Sequence, residues 1–167
     1  MTLFGVGATG NNVSNGGTTL GRIGFGYVYP DFNASFRYTT PSYNGTTLSA
    51  GLYNPSQIRS TTDGANAAFT ANGADFPRVE AELNINLSQI SEGSNIALSG
   101  VYQEAENAGE VEAQGIHVGG TLVGGPAAFT AHYYNGECLG ITLQMDVSAT
   151  SSDGVCRDSD GYYVQGT

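Results

Sequence analysis

An alternation of apolar and polar residues in the stretch RVEAELNINLS, at 78–88, constrains the fold of this chain more than any other feature. One face of an extended strand would carry Val79, Ala81, Leu83, Ile85 and Leu87, and the other Glu80, Glu82, Asn84 and Asn86. Weaker alternation occurs at 32–39, 47–53, 95–103, 112–123 and 127–134, and a last strand is expected from Tyr162. The pattern predicts an all-β, antiparallel fold of about seven strands.

The length of the strongest strand and the spacing of the connections indicate a particular kind of sheet. A tilted strand needs about 9–11 residues to cross a bilayer. Short connections at 41–45, 89–94 and 124–126 alternate with longer polar ones at 54–77, 104–111 and 135–160. Tight turns at one end and long loops at the other are typical of outer-membrane barrels. We therefore expect an antiparallel transmembrane β-barrel with short periplasmic turns and long extracellular loops.

Aromatic residues near strand ends suit the interfacial girdles of such a barrel. The candidates are Tyr38, Tyr43, Tyr53, Tyr102, Tyr133, Tyr134 and Tyr162. A secreted β-sandwich or adhesin-type binding module, with its ligand held by the long loops, is the alternative, because soluble sandwich strands also alternate. The outward residues speak against it, since the chain lacks the lysines that soluble sheet edges use.

Composition excludes several functions. Charged residues make up 12% of the 167 residues, about half the usual share, and the net charge is −10. This charge argues against nucleic acid as a partner, because phosphate binding needs clustered Lys and Arg. No apolar run reaches the roughly 18 residues of a transmembrane helix. The start, MTLFGVGATG, does not read as a signal peptide, so we expect a cytosolic chain or a mature or internal fragment.

One segment resembles a known family. In GRIGFGYVYPDFNASFRYTTPSYNGTTLSAGLYNPSQ, at 21–57, a strand motif of the general porins of Gram-negative outer membranes is matched in order, with Thr40 where the family more often has serine and Tyr43 where it more often has phenylalanine. The matching residues are Asn33, Ser35, Arg37, Tyr38, Thr40, Pro41, Tyr43 and Gly45. The ending NGECLGITLQ…RDSDGYYVQGT also resembles a late porin loop and the strand after it.

The resemblance implies a fold, a location and an activity. It describes residues 1–167 as one partial barrel domain, an internal fragment of a homotrimeric porin with about 16 strands. It implies a place in the cell outer membrane, contact with outer-membrane lipid, and passive diffusion of ions and small hydrophilic solutes through a water-filled channel. Residues 1–31 would form the constriction-loop region, and 32–167 the strands, turns and loops.

Charged residues on the lumen side are then the candidate site. The resemblance places Arg22 and Asp31 in the constriction region and Arg37 on the lumen face of the next strand. Glu80 and Glu82 share that face by alternation and could supply the acidic side of a transverse field. Ordinary solvation in a wide aqueous pore is the alternative for Arg22 and Arg37, and hydration of the rim near the outer end of the strand is the alternative for Glu80 and Glu82.

The remaining motifs give weaker indications of function. Cys138 and Cys156 are expected to form a disulfide in an oxidising compartment and to stay reduced thiols otherwise. The G-x-G-x-x-G at Gly5, Gly7 and Gly10 is not followed by a helix-forming sequence, so a dinucleotide site is not expected. His117 and His132 share the lumen parity but lack a third ligand nearby for zinc.

No arrangement for catalysis is found. Glu80 and Glu82 share a face, but a wet lumen would not desolvate either carboxyl group as general acid catalysis requires. We therefore expect no enzymatic activity and no cofactor or resident metal.

Overall fold

A computed structural model describes residues 33–60, 70–71, 73–106, 110–140, 144–145 and 148–167. Nine strands lie in this described part: β1 (Ser35–Thr39), β2 (Thr46–Tyr53), β3 (Ile58–Arg59), β4 (Thr70–Ala71), β5 (Arg78–Asn86), β6 (Asn95–Glu106), β7 (Glu110–Gly124), β8 (Ala127–Glu137) and β9 (Asp158–Gly166). Within it, no helix has the length and apolarity needed to cross a membrane.

Seven of the strands form one antiparallel sheet. Its order is β1-β2-β5-β6-β7-β8-β9, so each strand pairs with the next of these strands along the chain, while β3 and β4 form a separate two-stranded pair. Every pairing in the large sheet is antiparallel. The prediction of an all-β fold with about seven antiparallel strands is confirmed. The sheet is open, because β1 and β9 form its two edges in the described residues.

Two expected boundaries were wrong. Strands β6 and β7 extend through most of the segment 104–111, so their connection is 107–109 rather than a long loop. Strand β9 begins at Asp158, before the expected start at Tyr162. In both places carboxylates occupy the sheet: Glu104 pairs in register with Glu112. Acidic residues have low strand propensity, and here backbone pairing with the neighbouring strand overrides it.

The β1–β2, β5–β6 and β7–β8 turns lie at one end of the sheet, which we call the short-turn end, and the β6–β7 connection lies at the other. The β1–β2 turn places Asn44 and Gly45 at φ of 50° and 80°, as type I′ hairpin turns require. The β7–β8 turn uses Gly125 at φ 60°. The connections after β2 and β8 lie at the opposite, long-loop end.

The sheet has one apolar face and one polar face, with the parity that the sequence predicts. On the apolar face, one register row joins apolar residues of six neighbouring strands: Leu48, Leu83, Leu98, Val118, Tyr133 and Tyr162. Leu98 is 49% exposed and Tyr162 72% exposed, and no other element in the described part of the chain covers this row. The polar face carries the residues between them along each strand.

Two of the proposed girdle tyrosines are on the wrong face for that role. Tyr53 lies opposite Arg78 and Tyr134 opposite His117, both on the polar face. Tyr38, Tyr102, Tyr133 and Tyr162 are on the apolar face. Consecutive strand residues point to opposite faces, so Tyr133 and Tyr134 cannot both lie on the apolar face.

A small hydrophobic core lies on the polar face, at the long-loop end. It is built from residues of the two long connections and of β6 and β7: Ile58, Ala71, Ala105, Val111, Ala113, Cys138, Met145 and Ala149. Backbone hydrogen bonds from Arg59 N to Met145 O and from Thr150 N to Arg59 O, both 3.2 Å, join the two connections. The loops therefore fold inward over the polar face and pack against each other there.

Candidate functional site: a polar groove on one face of the sheet

A cavity of about 430 Å³ runs along the polar face. Its lining extends from Arg37 on edge strand β1 to Tyr163 on edge strand β9 and includes Glu82, His117 and His132. A flat sheet of this width would separate its edges by roughly 30 Å, since neighbouring strands lie about 4.8 Å apart. One cavity lined from both edges indicates that the sheet curls around its polar face.

A second depression of about 600 Å³ lies on the apolar side, near Val79, Gly100 and Ile116. Its lining includes Ala81, Gly100 and Tyr102, and its carboxylates lie toward the long-loop end. The polar groove differs in that it combines basic, acidic and imidazole side chains.

Arg37 and Glu82 face each other across the groove wall. The guanidinium Nη2 lies 4.0 Å from Glu82 Oε1, and the side chains are 51% and 45% exposed. Such a hydrated pair contributes at most about 1 kcal/mol to stability. Both charged side chains therefore stay accessible to water.

Arg78 was not among the predicted site residues, and it changes the role of Glu80. Its side chain is 1% exposed, and its Nε lies 2.8 Å from Glu80 Oε1. Its guanidinium also lies over the Tyr53 ring, 5.1 Å from the centroid, and donates a hydrogen bond to Ser56 Oγ. Glu80 is therefore neutralised by a buried partner, whereas Glu82 is not. Alternation along β5 puts Arg78 on the same face as Glu80 and Glu82, so the sequence could have predicted its face. Its burial could not be predicted in this way, because it depends on the loop that covers it.

Gln103 fastens that loop to the sheet. Its Oε1 accepts a hydrogen bond from Ser56 N (2.8 Å), and its Nε2 donates one to Ser56 O (2.7 Å). The Gln103 side chain is 1% exposed. Segment 54–60 is thus held against the polar face at the long-loop end by side chains of β5 and β6.

The second long loop is closed by a covalent bond. A disulfide joins Cys138 to Cys156, the two cysteines that the sequence suggested as a pair. Within this loop, the Ser151 hydroxyl donates a hydrogen bond to the Asp153 carboxylate and holds the pKa of that group below its ordinary value. The disulfide keeps Cys138 in the core and the loop folded over the groove.

His117 and His132 meet on the wall of the groove, although they lie on different strands. His117 Nε2 is 2.5 Å from His132 Nδ1, and the ring centroids are 4.7 Å apart. Ser99 Oγ lies 3.2 Å from the other nitrogen of His117, and the Tyr163 ring stacks on His132. The sequence showed that they share a face; the contact follows from the register that the short β7–β8 turn imposes, because Gly119 opposes His132.

The apolar face ends in an acidic rim at the long-loop end. Carboxylate oxygens of Glu104, Glu110 and Glu112 lie within 4.8 Å of one another. The Tyr102 hydroxyl, at the border of the apolar residues, donates to Glu104 Oε1 (2.6 Å). The outward face thus changes along the strand direction from apolar to aromatic to acidic.

The predicted site residues divide into two groups. Arg37, Glu80 and Glu82 lie together on the groove wall. Arg22 and Asp31, and the constriction-loop region 1–31 to which they were assigned, lie outside the described residues.

Comparison of the chain with protein-family models, with curated proteins and with solved structures finds no match. The resemblance to porins therefore rests on the sequence motif alone.

Proposed function

We propose that this chain forms part of the wall of an outer-membrane porin, a water-filled channel through which ions and small hydrophilic solutes diffuse passively. The observation that carries the proposal is the arrangement of the two faces. The exposed face is apolar over six neighbouring strands, and the face around which the sheet curls is polar. A soluble sheet protein would cover the apolar face with a second layer.

Lipid is the partner that best fits the apolar face. Soluble monomers rarely expose contiguous apolar patches larger than a few hundred Å². Here Leu98, Val118 and Phe129 are each about half exposed on neighbouring strands. Tyr102 and the acidic rim follow toward the long-loop end, which is the order expected where a strand leaves the hydrocarbon for the interface.

The proposal includes closure of the sheet. An open edge in hydrocarbon leaves unpaired backbone N–H and C=O groups, so β1 and β9 would pair with further strands of the same barrel. The strand motif at 33–45 supports a general porin, and with it the homotrimer and the Gram-negative outer membrane. The proposal includes no catalytic step, and passive diffusion requires no cofactor.

Solute selection would come from charges and loops in the lumen. Arg37 and Glu82 present opposite charges on a wet wall, and the two inward loops narrow the long-loop end. Charged side chains lining a pore set its ionic preference, and the width of the opening sets its size limit. Because Glu80 is paired with buried Arg78, Glu82 would be the stronger source of cation preference on this wall.

Conductance of the complete porin in planar bilayers tests the proposal. We expect Glu82→Gln to shift the reversal potential in a salt gradient toward anion preference, and Arg37→Gln to shift it the opposite way. Glu112→Gln, on the outward face, is the matched control with the same loss of charge. Absence of channels, or an equal shift for Glu82→Gln and Glu112→Gln, would refute it.

The alternative, a secreted sandwich or adhesin-type module, makes a different prediction for adjacent residues. In a soluble sandwich the second layer would cover Leu98, so neither dissolved oxygen nor a water-soluble paramagnetic reagent would strongly relax a spin label at Leu98→Cys. In a membrane wall, oxygen dissolved in lipid would relax the label at Leu98→Cys, and the aqueous reagent the label at Ser99→Cys.

A further inference from the structure

We infer that His117 and His132 form a binding site for a divalent first-row transition metal, with Cu²⁺ bound most tightly. These are the two histidines of the chain. Although fifteen positions separate them, a ring nitrogen of each points at the other at 2.5 Å. The inference does not depend on the proposed channel, because it uses only the pairing of β7 with β8.

The contact is close to what a shared metal ion requires. Two metal–nitrogen bonds of about 2.0–2.1 Å place the nitrogens roughly 3 Å apart. His117 Nε2 and His132 Nδ1 would need to separate by less than about 1 Å. The groove beside them can supply water for the remaining coordination positions, since both rings line its cavity.

Neighbouring groups orient both rings. Metal binding needs neutral imidazoles whose facing nitrogens carry no proton, so the proton of His117 must sit on Nδ1. Ser99 Oγ, 3.2 Å from that atom, can accept the hydrogen bond that the Nδ1–H donates. The ring of His132 is stacked between His117 and Tyr163, with centroid distances of 4.7 and 4.6 Å.

Gly119 leaves the space that the second ring occupies. A Cβ atom at this position would lie 2.4 Å from His132 Nδ1 and 2.6 Å from its Cε1. Any other residue would therefore push the His132 ring away from its present place. The site consists of two ligands, one orienting hydroxyl and one glycine, drawn from three adjacent strands.

The donor set selects the class of metal. Imidazole nitrogens suit Cu²⁺, Ni²⁺ and Zn²⁺, and Cu²⁺ binds most tightly in the Irving–Williams order. Hard ions such as Mg²⁺ and Ca²⁺ prefer oxygen ligands and would not compete. A bound ion would add positive charge to the wall that carries Arg37, Glu80 and Glu82.

Titration of the untagged, folded protein with CuCl₂, followed by electron paramagnetic resonance, tests the inference. We expect one Cu²⁺ per chain, and an electron spin-echo modulation that arises from the nitrogens of two imidazole rings. His117→Asn and His132→Asn should each leave one imidazole and weaken binding, and Ser99→Ala should weaken it by about 10-fold or more. Circular dichroism establishes that each variant is folded.

Two glycine variants test whether metal binding depends on the position of the His132 ring, with both histidines retained. Gly119→Ala should reduce the signal to one imidazole although both histidines remain. Gly124→Ala, where a Cβ would meet no atom within 4 Å, should leave it unchanged. Glu110→Gln combined with Glu112→Gln should also leave it unchanged, which excludes the acidic rim. A signal from one imidazole or none in the folded parent protein would overturn the inference, as would a two-imidazole signal that survives Gly119→Ala.

Discussion

Arg78 is the largest side chain that is fully buried in the described part of the chain, although it is charged. Burial of a charge is tolerated only where partners replace its water. Glu80, the Tyr53 ring and Ser56 Oγ do so here. Arg37, two strands further out on edge strand β1, carries the same charge on the same face but stays half exposed. The two arginines therefore contribute differently, Arg78 to structure and Arg37 to the field of the groove.

Replacement of each arginine by methionine should separate these contributions. Arg78→Met leaves the mostly buried Glu80 carboxylate without its partner, and we expect a loss of about 3 kcal/mol in the free energy of unfolding. Arg37→Met removes only a hydrated pair, and we expect a change below about 1 kcal/mol. Denaturant unfolding in micelles measures both. Equal losses for the two variants would contradict the assignment of Arg78 as a structural residue.

At the scale of elements, the inward loops depend on a few polar anchors. Gln103→Ala should leave the N–H and C=O of Ser56 without their side-chain partners and cost about 2 kcal/mol. Hydrogen exchange should accelerate in segment 54–60 and stay slow in β6 and β7. Gln114→Ala, on the exposed face of the neighbouring strand, is the control and should change neither. Unchanged exchange at 54–60 in Gln103→Ala would show that other contacts hold the loop.

The disulfide makes a second prediction for the loops. Cys138 and Cys156 are 18 positions apart, and closing a loop of that length stabilises a fold by about 3 kcal/mol in the chain-entropy treatment. The double variant Cys138→Ala, Cys156→Ala should lose about that much and become sensitive to protease between these positions. The sheet should keep its circular dichroism spectrum. Protease resistance equal to that of the parent would mean that packing alone closes the loop.

Strands and loops differ in how far the sequence predicts them. Alternation is a local property, so it placed the faces of the strands correctly, including Arg37, Glu80 and Glu82 on one side, but it missed the ends of β6, β7 and β9. The burial of Arg78 and the core around Ile58 and Met145 arise from contacts between distant loops, which leave no periodic signal. The His117–His132 contact depends on the register between two strands, which the sequence suggests only through the tight turn at Gly125.

At the scale of the whole molecule, the two faces of the sheet define opposite environments. The row from Leu48 to Tyr162 is apolar and uncovered in the described residues, while the polar face holds the charged groove. In water such a molecule would hide the first face and expose the second. In a bilayer the hydrocarbon would take the place of a core, and water would fill the groove. The face that tolerates an added charge therefore distinguishes the two environments.

A single arginine placed on one face or the other tests which environment that face contacts. Leu98→Arg puts a charge in the middle of the apolar row, and in a lipid-facing strand it should reduce the free energy of folding into vesicles by about 2–4 kcal/mol. Asn84→Arg adds the same side chain on the polar face, one residue beyond Leu83, the register partner of Leu98, where water can solvate it. We expect a change below about 1 kcal/mol there, because the wall is hydrated. Denaturant titration of folding into lipid vesicles measures both variants. If Asn84→Arg proved as costly as Leu98→Arg, or if neither affected folding, the apolar face would not be in contact with lipid.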